Sequence, residues 1–91
     1  MAYLVIGCDL NGSAADPVQG ALESWGAVRL LDSLWLLETP LGAGYVRSAL
    51  EDVVDGGDRV AVFAIQPGSE WSASSEDSPG SKWLQSKIGV N

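Results

Sequence analysis

The sequence predicts an α+β fold: a four-stranded antiparallel sheet with two helices on one face. Three observations lead there. Two segments, residues 18–25 and 46–53, repeat apolar side chains at helical spacing. Four segments, residues 2–8, 27–31, 34–39 and 59–65, are short, apolar and bounded by turn formers, as strands are. Their order is strand, helix, strand, strand, helix, strand, and two split halves in that order make the ferredoxin-like βαββαβ arrangement.

The first strand is the apolar run from Ala2 to Cys8, which ends in Asp9. Tyr3, Leu4, Val5 and Ile6 are apolar in both phases of a period of two, which predicts a central strand covered on both sides. Asn11, Gly12 and Ser13 predict a loop. Asp16 is the predicted N-cap of the first helix, Pro17 its first residue and Gln19 the return partner of a capping box. Val18, Ala21, Leu22 and Trp25 form its core stripe, and Gly26 is its natural terminator. Ala27 to Leu31 and Leu34 to Thr39 are two strands joined by an Asp32-Ser33 turn. In the second of these, Trp35 and Leu37 share one face, and Leu34 and Leu36 the other. Pro40 and Gly42 break the strand. Val46, Ala49, Leu50 and Val53 then mark a second helix, which the run Asp55-Gly56-Gly57-Asp58 ends. Arg59 to Ile65 is the fourth strand.

In this arrangement the first and third strands are central, and the second and fourth are edges. Helices on one face leave the other face to be covered. A second subunit packed sheet to sheet is the economical cover, because monomers rarely expose a large apolar face. Residues 1–66 are therefore read as the ferredoxin-like domain, and residues 67–91 as a Ser-rich linker with a C-terminal arm. Ser72 to Ser81 reads as flexible. Trp83, Leu84 and Ile88 predict a short helix or extended arm that docks on the body or on a partner subunit.

Composition bounds the function. The chain has 91 residues, enough for one small domain, and a size at which oligomerisation often supplies missing burial. Twelve acids against five bases give a net charge of −7, with no run of Lys or Arg. That argues against a monomer that grips a nucleic-acid backbone, and leaves open a contact bridged by metal or by a partner. There is no histidine, so no serine or cysteine has an imidazole to activate it, and serine-hydrolase chemistry is excluded. The one cysteine, Cys8, cannot form an internal disulfide and suits a reducing cytoplasm. The initial apolar run is too short for a signal peptide and lacks a basic start, and no stretch approaches membrane-spanning length.

Asp9 is the one candidate catalytic and metal-ligating residue. A lone carboxylate at the end of a buried strand suits Mg²⁺, which is held by one or two carboxylates, water and phosphate oxygens. In a symmetric dimer one aspartate per subunit supplies two. The alternative is structural: an aspartate at a loop start accepts backbone N–H bonds in an Asx-turn. Cys8 reads as a small core residue. Trp25 and Trp35 read as packing residues, and Trp71 and Trp83 as contacts to another subunit or partner. Arg29, Arg47 and Arg59 read as salt-bridging or solvated, with Asp55 or Asp58 as partners for Arg59.

Three stretches together resemble a known family. They are Tyr3-Leu4-Val5-Ile6-Gly7-Cys8-Asp9-Leu10-Asn11, Leu31-Asp32-Ser33-Leu34-Trp35-Leu36-Leu37 and Asp58-Arg59-Val60-Ala61-Val62-Phe63. In order, spacing and motif type they resemble the small CRISPR-associated endonuclease of the spacer-adaptation complex and its relatives, the VapD toxins and SinR-like proteins. The resemblance covers roughly residues 2–66. It implies a ferredoxin-like homodimer with facing sheets, whose C-terminal segment often adds a strand to the partner. It also implies that Asp9 ligates a divalent metal between subunits, with Ser33 as a positioning residue, and that the activity is metal-dependent cleavage of RNA or DNA. The adaptation proteins usually follow their aspartate with basic residues, whereas residues 10–16 here contain none. That departure and the negative charge point to the SinR-like branch. Two readings follow: a Mg²⁺-dependent nuclease, or a non-catalytic dimeric interaction or scaffold module that binds a protein partner through its C-terminal arm.

Overall fold

The computed structural model describes residues 1–9, 15–54, 58–75 and 77–89, without the side chains of Ala15 and Asp16. Seven elements follow in order: β1 (Ala2–Asp9), α1 (Ala15–Ser24), β2 (Val28–Leu31), β3 (Leu34–Thr39), α2 (Ala43–Glu51), β4 (Arg59–Ile65) and α3 (Pro79–Lys87). The strands form one antiparallel sheet in the order β2-β3-β1-β4. Thus β1 and β3 are central and β2 and β4 are edges. The predicted Asn11-Gly12-Ser13 loop and the terminator at residues 55–57 lie outside what is described.

Alternation along β1 builds two cores. Leu4, Ile6 and Cys8 point to the face that carries α1 and α2, where they meet Val18, Leu22, Val46 and Leu50, with Trp35 and Leu37 from β3. Leu4, Ile6, Leu22 and Leu50 are wholly buried, each contributing about 1.5–3 kcal/mol. The opposite phase, Tyr3 and Val5, joins Leu34 and Leu36 of β3 in a second core. The faces assigned to Trp35/Leu37 and Leu34/Leu36 are those the sheet adopts.

Helix α1 opens at Ala15, so Asp16 lies inside it rather than before it. Pro17 still falls in the first turn, where a missing N–H costs nothing. The helix ends in a Schellman motif: Ala27 N–H donates to Leu22 O and Gly26 N–H to Glu23 O, both at 3.0 Å. Gly26 sits at φ 82°, a conformation glycine adopts without strain. This turn carries Trp25 away from the core. Trp25 is 39% exposed, so the helical period that placed it in the core stripe ends one residue too soon. In α2, Val46 and Leu50 are buried as predicted, while Val53 lies past the helix end and is exposed.

The largest correction concerns the second face. The cover expected from another subunit is supplied in part by α3. Leu84 and Ile88 pack on Val5 and Leu36, and Trp83 meets Tyr3 edge to face at 5.9 Å. The Lys87 ammonium lies 3.3 Å from the Glu38 carboxylate. Ser78, in the segment read as flexible, is the N-cap of α3: its hydroxyl accepts from the Ser81 N–H, and Pro79 fills the first turn. Ser81 is fully buried, and its hydroxyl donates to Ser75 O. Beyond the helix, Trp71 Nε1 donates to Gly89 O at 2.6 Å and Gly68 N–H to Ile88 O at 2.8 Å. Trp71 and Trp83, read as contacts to a partner, therefore pack within the chain. Among the described residues, no helix is long and apolar enough to cross a membrane.

Candidate functional site

Asp9 is the last residue of β1, and Arg59 the first of β4. In the antiparallel register these two positions are directly opposite. Their side chains close the pair, with Arg59 Nη2 donating to Asp9 Oδ2 at 2.8 Å. Both remain in water, at 83% exposed for Arg59 and 66% for Asp9. An ion pair this exposed contributes about 0–1 kcal/mol to stability. It does fix where the carboxylate points and what it meets first. The sequence suggested Asp55 or Asp58 as the partner of Arg59; Asp55 lies outside the described residues, and the carboxylate seen on Arg59 is that of Asp9. The signal was available, because antiparallel pairing of the first and fourth strands brings the end of one to the start of the other.

The β2–β3 turn completes this end of the sheet. Cys8 N–H donates to Ser33 O at 2.9 Å, which draws the turn against the end of β1. Gly7, Asp9, Ser33, Leu34, Arg59 and Ala61 line an open groove there. The two residues singled out from the sequence, Asp9 and Ser33, thus share one groove, joined by Arg59.

The chemistry this corner offers is limited. Asp9 is the carboxylate in the groove, and it already accepts from a guanidinium, which competes with a metal cation for the same oxygen. Among the described residues, no three His, Cys, Asp or Glu side chains come together to hold a metal. Among the described residues, Asp9 is thus a single carboxylate donor, and further ligands to a Mg²⁺ ion there would be water, phosphate oxygens or a second copy's Asp9. Cys8 is 9% exposed, and burial pushes its thiol pKa up from the ordinary value. The thiolate needed for nucleophilic chemistry is thereby disfavoured, in line with a core role.

The remaining arginines are structural. Arg29 stacks over the Trp35 ring at 4.6 Å, and Arg47 pairs with Glu51 one turn along α2. The Tyr3–Trp83 and Glu38–Lys87 contacts were not foreseen; no local sequence signal places α3 over β3 and β1. No family model matches the chain, and no curated protein matches it.

Proposed function

We propose that this chain is a ferredoxin-like, homodimeric interaction module of the cytoplasm, and that its Asp9 corner is not a catalytic centre. The fold part is supported by the βαββαβ element order and by a β2-β3-β1-β4 sheet with β1 and β3 at its centre. One observation carries the functional part: the Asp9 carboxylate is held by Arg59 at 2.8 Å. A negative surface, with twelve acids against five bases, also suits a protein partner better than a nucleic-acid backbone.

The second reading is a Mg²⁺-dependent nuclease of the adaptation-complex type, with one ion between the Asp9 residues of two copies. The exposure of Asp9 at a strand end, in an open groove, favours it. Incubation with single-stranded RNA and with duplex DNA, in Mg²⁺ or Mn²⁺ and again with chelator, separates the two. The expected result is no chelator-sensitive cleavage, and no change on Asp9→Ala. Metal-dependent cleavage abolished by Asp9→Ala would replace the first reading with the second. The substitution is a clean probe, since losing so exposed a pair changes stability by about 1 kcal/mol or less.

A further inference from the structure

The two edges of the sheet differ in how they are protected. Strand β2 has four residues, shifts register between Arg29 and Leu31, and lies against α3. Shortness, a bulge and a covering helix are the usual means by which proteins blunt an edge. Strand β4 is neither short nor bulged; α2 packs against one of its faces, through Val60 and Val62, but its edge is left long and regular. It runs for seven residues, pairs with β1 without a register shift, and carries no proline and no charge after Arg59. Among the described residues, no strand pairs with its outer side.

The direction of its backbone groups follows from one hydrogen bond. Cys8 N–H points to Ser33, toward β3. Alternation then turns Tyr3, Val5, Gly7 and Asp9 toward β4, so their partners Ile65, Phe63, Ala61 and Arg59 bond inward. Val60, Val62 and Ala64 therefore present their N–H and C=O groups outward. On the face away from α1 and α2, Phe63 is 53% exposed and Ala61, two residues earlier, is also exposed.

We infer that β4 pairs antiparallel with β4 of a second copy about a two-fold axis at Val62, joining the two sheets into one. This rests on the homodimer part of the reading above and names its interface. In that register Val62 faces Val62 of the partner subunit, and Val60 faces the partner's Ala64. All the outward N–H and C=O groups of these residues are thereby used. Phe63 lies opposite the partner's Ala61, large against small, twice by symmetry. Arg59 falls across from the partner's Ile65, which keeps the like charges at opposite ends. A second copy is favoured over an arbitrary extended peptide by the side chains alone: about the Val62 axis, Phe63 of each copy meets the small side chain of the partner's Ala61.

Light scattering of wild type and Val62→Pro tests the inference. The Val62 N–H faces outward, so proline removes no bond to β1 and is tolerated there, as on other edge strands. Wild type is expected at twice the 9.5 kDa chain mass at micromolar concentration, and Val62→Pro at the chain mass with an unchanged circular dichroism spectrum. A Val62→Pro that stays dimeric overturns the interface and leaves the dimer standing. A monomeric wild type overturns both, and an extended segment of another protein would then be the occupant of the edge. Oxidation of cysteine variants in a Cys8→Ser background reads the register whether or not Val62→Pro folds. Val62→Cys is expected to give a disulfide-linked dimer, and Ala64→Cys alone is not, because Ala64 faces the partner's Val60. Equal cross-linking of the two variants overturns the register.

Discussion

Replacing Gly80 with alanine tests the seating of α3 on the sheet, on which the shape of the whole second face depends. Gly80 is the second residue of α3, and a Cβ there would stand 2.7 Å from Leu30 Cα, 2.8 Å from Leu30 Cδ1 and 2.9 Å from Arg29 O. Carbon atoms in favourable contact lie about 3.5–4.0 Å apart. Two of the three neighbours are backbone atoms of β2 and cannot rotate away. The first turn of α3 must therefore lift by about 1 Å, a gap that forfeits a quarter to a half of the dispersion energy along the contact. Such overpacking costs about 1–3 kcal/mol. Against it stands the helix preference of alanine over glycine, at most about 1 kcal/mol. The balance is a net loss of up to about 2 kcal/mol, or a fall in Tm of up to roughly 16 °C for a domain of this size. Gly44→Ala in α2 is the matched control, because no heavy atom outside its own helix lies within 4 Å of that Cβ. The preference then acts alone, and a gain of about 0.5–1 kcal/mol is expected. Neither glycine has a positive φ, so backbone strain does not enter the comparison. Urea unfolding followed by tryptophan fluorescence and circular dichroism gives both values. Equal gains for Gly80→Ala and Gly44→Ala would refute the placement of α3 on β2.

Truncation after Gln66 removes Leu84 and Ile88, both 4% exposed, and uncovers Val5 and Leu36. The fragment is expected to bind a hydrophobic dye and to aggregate at micromolar concentration by light scattering, and Leu84→Ala alone is expected to cost about 2–5 kcal/mol in urea unfolding. The raised pKa of Cys8 predicts a pH dependence at the alkaline end. The thiol ionises in the unfolded chain before it does so in the folded one, so its contribution is fully present below about pH 8.5 and is lost as pH rises toward the folded value. Unfolding free energies at pH 7 and pH 10 are expected to fall further apart in wild type than in Cys8→Ala.

The sheet was readable because each of its signals is local. The apolar run that ends in Asp9, the Asp32-Ser33 turn and the Pro40/Gly42 break set the bounds of β1 and β3 to within one residue. Period two also separated Trp35 and Leu37 from Leu34 and Leu36. What failed depended on distance along the chain. Trp25 obeyed the helical period, but the Schellman turn had already redirected the backbone. Ser78 and Ser81 looked like linker residues because capping and burial of a serine depend on what packs above it. Gly80 looked like a flexible residue and is a contact residue. The Asp9–Arg59 pair joins residues fifty apart in sequence, and becomes visible only when the topology is laid out.

The position of α3 bears directly on the metal question. A partner packed sheet to sheet, which would bring two Asp9 carboxylates to one axis, would meet α3 rather than bare sheet over β2 and β3. The edge-to-edge dimer has no such obstacle, but it places the carboxylates far apart. Arg59 is three residues from Val62, and Asp9 stands opposite it one strand further from the axis. At about 3.3 Å per residue and 4.8 Å per strand, the two Asp9 positions fall roughly 25 Å apart. One ion cannot span that distance, since Mg²⁺ binds oxygen at about 2.1 Å. The same cross-link that fixes the β4 register therefore also decides the chemistry: a disulfide at Val62→Cys removes the shared-metal nuclease, and leaves the Asp9–Arg59 pair as a surface contact at the corner of a joined sheet.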